Sequence, residues 1–163
     1  MRNFLLFLCI VISNKIIAQV PMVMPPEADA FYEKAMPIIK PQLKKVIAKA
    51  ANSLKNRHAN ADSLFIALHS NSVLKGMSDK DMQGLTTLIM VQASKNADED
   101  IKKMVLGMRN KDDAEFASNE NSNNSKQLIL QMIVQRKSQM AEEISFVMKK
   151  IYNEEDTIIN SLK

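Results

Sequence analysis

The stretch Lys126-QLILQMIVQRKSQMAEEISFVMKKIYNEEDTIINS-Leu162 decides the fold. Read as heptads, it sets Leu130, Ile133, Lys137, Met140, Ile144, Val147, Ile151, Glu154 and Ile158 on one seam, alternately three and four residues apart. That spacing predicts one long helix over 126–162 with a single apolar edge, because side chains three and four apart share a helix face. Lys137 and Glu154 interrupt the seam with charge, so it can fix a register but cannot be uniformly dry. Leu128 to Val134 is apolar almost all round, which predicts that the first two turns of this helix are the most buried part of the molecule. A helix of this length needs a partner.

The partner is supplied upstream. Ser78 followed by Asp81 resembles a capping box with Asp in place of the usual Glu. Beyond it Met82, Leu85, Ile89, Ala93, Ala97, Ile101, Met104 and Met108 recur at near-helical spacing, predicting a helix over 79–110. At Lys95-Asn-Ala-Asp98 the stripe is only alanine and an Asn or Asp could restart a helix, which leaves open whether it is one helix or two. Between the two long segments, 111–125 carries Asp112, Asp113, four asparagines and three serines, and reads as an exposed loop. The expected fold is therefore all-α: a long, coiled-coil-like antiparallel hairpin with shorter N-terminal helices packed at its base. Three glycines and no tryptophan among 163 residues, with abundant Ala, Leu, Lys, Met and Gln, agree with an almost purely helical chain.

The N-terminal elements follow from their punctuation. Residues 19–26 hold three prolines and should run extended. A short helix over 27–36 would place Ala28, Phe31, Tyr32 and Ala35 on one side. Pro37 and Pro41 break the chain, and Pro41 suits the first turn of a helix to about Asn56 striped by Ile39, Leu43, Val46, Ile47, Ala50 and Leu54. Asn60 and Asp62 can cap a short helix carrying Leu64, Phe65 and Leu68, and Gly76 reads as a stop.

At the start of the chain, Met1-Arg-Asn3, the apolar run Phe4 to Ile12 and the polar exit to Ala18 have the three parts of a secretory signal peptide, with cleavage after Ala18. The apolar run is far short of the ~20 residues a membrane-spanning helix needs. The expected location is periplasmic or secreted. Cleavage would remove Cys9, the one cysteine, so residues 19–163 hold no disulfide and no thiolate ligand. It would also remove Arg2 and Lys15 from 22 basic residues against 18 acidic ones, leaving a net charge of +2. So small an excess argues against nucleic acid as the partner.

Chemistry is sparse. No Ser/His/Asp ordering, glycine-rich phosphate loop or paired carboxylates in an apolar setting stand out, which argues against an enzyme and against a cofactor. His58 and His69 lack a third ligand at zinc spacing, and Asn110-Lys-Asp112 does not continue into an EF-hand. Twelve methionines are the most unusual feature. Met22 and Met24, set among prolines, are the candidate soft-metal ligands for Cu(I). Met82, Met104, Met108, Met132, Met140 and Met148 fall mostly on helical stripes, where methionine fills core gaps or offers an adaptable surface to apolar clients.

Lys40, Lys44, Lys45 and Lys49 form a basic face off the apolar stripe of their helix. It can be a solvated face opposite the acidic stretch 98–120, or a dock for an anionic membrane surface. The leading reading is an exported interaction or structural protein whose partner is another protein or itself, self-associating along Met140–Ile158. A Met-rich binder of soft metal or apolar ligands and a membrane-docking basic helix are the alternatives.

Overall fold

The computed structural model describes residues 23–54, 60–112 and 120–163, with side chains omitted over 108–124 and at 126. Residues 1–18, read above as a signal peptide, lie outside these residues, as do Met22, His58 and residues 113–119 of the stretch 111–125. Every regular element described is helical: α1 (Pro26–Ala35), α2 (Pro41–Leu54), α3 (Ala61–His69), a 3-10 turn (Ser72–Leu74), α4 (Asp79–Asp112), α5 (Glu120–Ile151) and α6 (Glu155–Ser161).

Local chemistry explains most of the boundaries. Pro26 opens α1, where its missing N–H costs nothing. The Asn60 side chain caps α3 by accepting from the Ser63 N–H at 2.9 Å, and Asn71 does the same for the 3-10 turn through Val73. Gly76, at φ 91°, turns the chain toward α4 through a conformation that other residues rarely adopt. At the start of α4, Ser78 Oγ accepts from the Asp81 N–H (3.1 Å) and donates to the Asp81 carboxylate (2.8 Å). The two side chains thus close on each other rather than forming the reciprocal backbone bond of a full capping box.

The hub of the molecule is α4. Helices α1, α2, α3, α5 and α6 all pack against it. From Met82 to Val91, all but the half-buried Gln83 are buried, so this stretch has no solvent face. Thr86 and Thr87 tolerate that burial by donating back to the carbonyls of Met82 and Gln83, at 2.8 and 3.1 Å. One continuous apolar cluster joins α4 to Phe31 and Tyr32 of α1, Ile47 and Ala51 of α2, Leu68 of α3, Ile144 and Ile151 of α5, and Ile158, Ile159 and Leu162 at the end of the chain.

Three expectations are corrected. The last helix is not continuous over 126–162: α5 ends at Ile151, and Tyr152–Glu154 form a turn before α6. The turn lets Ile158, Ile159 and Leu162 bury at 2% exposure or less, and the Lys40 N–H donates to the Leu162 carbonyl at 3.1 Å. Residues 120–125 belong to α5 rather than to the loop. The beginning of the last helix is not the most buried part either: Leu128, Ile129 and Met132 are exposed. Burial is greatest where the short helices wrap α4, and none of the described short helices covers Leu128–Met132. The segment 79–110 is a single helix, carried on to Asp112.

Candidate functional site

The predicted seam divides along its length. Met140, Ile144, Val147, Ile151 and Ile158 are all 5% exposed or less and lie in the intrachain core, whereas Leu130 and Ile133 are half-buried. The inner part of the seam is therefore turned into the chain's own core. Large apolar side chains are exposed elsewhere on the long helices: Val105 and Leu106 on α4 and Leu128, Ile129 and Met132 on α5 lie between 43% and 59% exposed, and Phe146, farther along α5, is 52% exposed. They adjoin half-buried Ile101, Met104, Leu130, Ile133 and Val134. The all-round apolar character of Leu128–Val134 is the sequence signal for this surface, although it equally predicts burial.

The two long helices pack along each other. Lys137 of α5 pairs with Asp98 of α4, and Glu154, at the turn after α5, pairs with Lys80 at 2.5 Å. Each neutralises a charge that the heptad reading placed on the seam.

The basic face stands on α2. Lys40, Lys45 and Lys49 are exposed and Lys44 is half-buried, donating to the Pro37 carbonyl at 3.1 Å. Of the acidic neighbours expected for it, Asp98 pairs with Lys137 and Glu99 with Lys103 on its own helix at 3.8 Å, while Asp112 to Glu120 lie outside the described side chains. Helices α2 and α3 lie against α4 rather than against each other, leaving a groove of about 700 Å³ between them. Lys45 and Lys49 line it together with Val46, Ala50, Leu64 and Leu68.

A polar chain crosses three helices. The Tyr32 hydroxyl donates to the Gln92 carbonyl oxygen, Gln92 Nε2 donates to Asn96 Oδ1 at 3.0 Å, and Asn96 Nδ2 donates to Asn52 Oδ1 at 3.1 Å. Beside it Lys95 bridges Asp29 (2.8 Å) and Glu33 (3.0 Å) and stands 5.1 Å from the Tyr32 ring centre. Hydrogen bonds to those two carboxylates hold the Lys95 ammonium above its ordinary range, while burial raises the Tyr32 hydroxyl against the opposing pull of Lys95. These groups satisfy one another, which is the arrangement of a structural tie.

His69 closes the end of α3. Its Nδ1–H donates to the Phe65 carbonyl at 3.0 Å, its Nε2 faces Asp79 Oδ1 at 3.1 Å, and its ring tilts against Phe65. Both nitrogens are donors only in the imidazolium, so these partners raise its pKa, the Phe65 carbonyl most. Among the described residues no three His, Cys, Asp or Glu side chains gather as a metal site, and no helix is long and apolar enough to cross a membrane. Met82, Met140 and Met148 are core residues, Met132 is exposed, and Met24 is half-buried against the core rather than free among its prolines. No family model matches the chain, and neither a curated protein nor a solved structure resembles it.

Proposed function

We propose that this is an exported helical interaction protein of the cell envelope or exterior. It works through the outer half of a long, coiled-coil-like antiparallel hairpin formed by α4 and α5, and its partner is a second copy of the chain. The observation that carries the reading is the exposure of Val105, Leu106, Leu128, Ile129 and Met132 on the half of the helix pair beyond the core residues Met82–Ala97. Large apolar side chains gathered on a soluble surface mark an interaction site more often than scattered ones do. Two such hairpins laid side by side would bury these residues as a four-helix bundle buries its core. The alignment of Lys80 with Glu154 and of Asp98 with Lys137 supports the antiparallel pairing. The export reading rests on the basic start, short apolar run and small exit residue of 1–18.

Light scattering of the purified protein across a hundredfold range of concentration tests the assembly. A dimer is expected, with a monomer from Leu128→Glu/Met132→Glu that still unfolds cooperatively, its Tm independent of concentration. A parent chain that stays monomeric at every concentration sinks the reading. Sequencing the protein recovered outside the cytoplasm tests the leader, with Gln19 expected as the new terminus.

A further inference from the structure

The groove between α2 and α3 is separate from the outer hairpin and has a different chemistry. Val46, Ala50 and Leu64 are half-buried along it and Leu68 is buried at its floor. Its size falls within the ~300–1,000 Å³ of small-molecule clefts. The gap persists because both helices use their most apolar faces on α4: Ile47 and Ala51 of α2, and Ala61 and Leu68 of α3, are buried there.

The polar groups lining the groove are mostly engaged already. Ser53 Oγ donates to the Ala50 carbonyl at 2.7 Å, and Asn71 Oδ1 accepts from the Val73 N–H at 3.0 Å. What remains is Gln42, the Asn71 amide NH2 and two ammonium groups, Lys45 and Lys49, one helical turn apart on the same helix. Among the described residues no acidic residue lines the groove and neither lysine makes an ion pair. An apolar trough edged by two unneutralised cations complements a ligand with an alkyl chain and one anionic end. Lysine suits that edge, since its methylene stem can lie along the chain while its ammonium meets the head.

We propose that this groove binds a single-chain anionic amphiphile, a long-chain carboxylate, with the alkyl chain along Val46, Ala50, Leu64 and Leu68 and the carboxylate at Lys45 and Lys49. A concave trough between two helices accepts one chain lengthwise, whereas docking on a bilayer calls for an apolar face presented outward.

The test is calorimetric titration of the purified protein with sodium dodecanoate kept below its micelle concentration. Carboxyl-¹³C dodecanoate is followed by NMR alongside. Saturable binding of one equivalent is expected, with a shifted carboxyl resonance. Lys45→Gln/Lys49→Gln, both exposed positions, should weaken it about tenfold, the scale of removing two exposed ion pairs. Dodecanol should bind about as weakly to the parent, and Ala67→Trp, which fills the trough from the α3 side, should abolish uptake. Circular dichroism melts confirm that each variant folds. The proposal is overturned by uptake that never saturates, by binding that all the variants retain, or by a protein that ignores monomeric dodecanoate and binds only phosphatidylglycerol vesicles.

Discussion

Gly84 of α4 lies directly beneath Ile158 of α6: a methyl group built on Gly84 would overlap Ile158 Cγ2 and touch the Phe31 ring at 3.6 Å. Three elements meet at this one missing side chain. The close approach is what lets α6 lie down on the hub, and it gives a glycine in mid-helix a packing reason.

Gly84→Ala should therefore destabilise the protein by about 1–3 kcal/mol through overpacking, although alanine is the better helix former by about 1 kcal/mol. Replacing Ile158 with Leu removes the branch at Cβ that causes the overlap. Gly84→Ala/Ile158→Leu should be more stable than the sum of the two single changes implies. Urea denaturation of the four proteins measures the coupling, and additive effects would mean that the Ile158 side chain does not sit against Gly84.

Ile144 and Leu128 share a helix but not an environment. With Ile144 fully buried and Leu128 at 59% exposure, Ile144→Asp should cost at least about 3 kcal/mol and Leu128→Asp within about 0.5 kcal/mol in the monomer. Equal losses would contradict the burial difference along α5.

The His69 imidazolium, favoured by the Phe65 carbonyl and by Asp79, makes the α3–α4 junction pH-sensitive. Its folded pKa lies above the ordinary 6.5, so the contribution is complete below that value and is lost as pH rises through the folded pKa. A ¹³C–¹H titration of the ring should give a midpoint above 6.5, and Asp79→Asn should move it down. A midpoint at or below 6.5 in the parent would remove the pH dependence.

Gln92 stands in the middle of the amide chain between Tyr32 and Asn52. Gln92→Leu takes the acceptor from a buried hydroxyl and the donor from Asn96, and should cost about 1–3 kcal/mol. Gln92→Leu/Tyr32→Phe should regain part of that loss, because no buried hydroxyl is then left unpaired. Thermal melts of both variants decide it.

The short elements are legible in the sequence because each is announced by its own residues. Ala28, Phe31, Tyr32 and Ala35 are the buried face of α1, and Asn60, Gly76 and Ser78 punctuate the chain where their side-chain chemistry places a cap or a turn. For α4 the stripe Met82, Leu85, Ile89, Ala93 and Ala97 is buried as its spacing requires. Leu88, Met90, Val91 and both threonines are buried as well. Periodicity finds a helix's most apolar face, but only the number of neighbours decides how many faces are covered.

The same limit explains the reversal along α5. Leu130 and Ile133 hold equivalent heptad positions to Met140, Ile144 and Val147, yet the latter three lie in the shared core and the former two are only half-buried. The turn at Tyr152–Glu154 interrupts a heptad that continues unbroken in sequence. Its available sign is Asn153 followed by Glu155 and Asp156, acids in the first turn of a new helix. The groove between α2 and α3 leaves a trace only in its lysines, because a gap between helices is a property of their packing on a third.

The hub also has a second conformational identity. Leu85-Thr-Thr-Leu-Ile-Met-Val91 is seven residues without a charge, a proline or a glycine, four of them β-branched. Such a segment, taken by itself, is a strand former and a template for cross-β stacking. It is helical here because five other helices close around it and leave no edge on which another chain can add. Whatever loosens that wrapping, Gly84→Ala included, should favour fibrils over a merely unfolded chain, seen as thioflavin T fluorescence that grows on incubation.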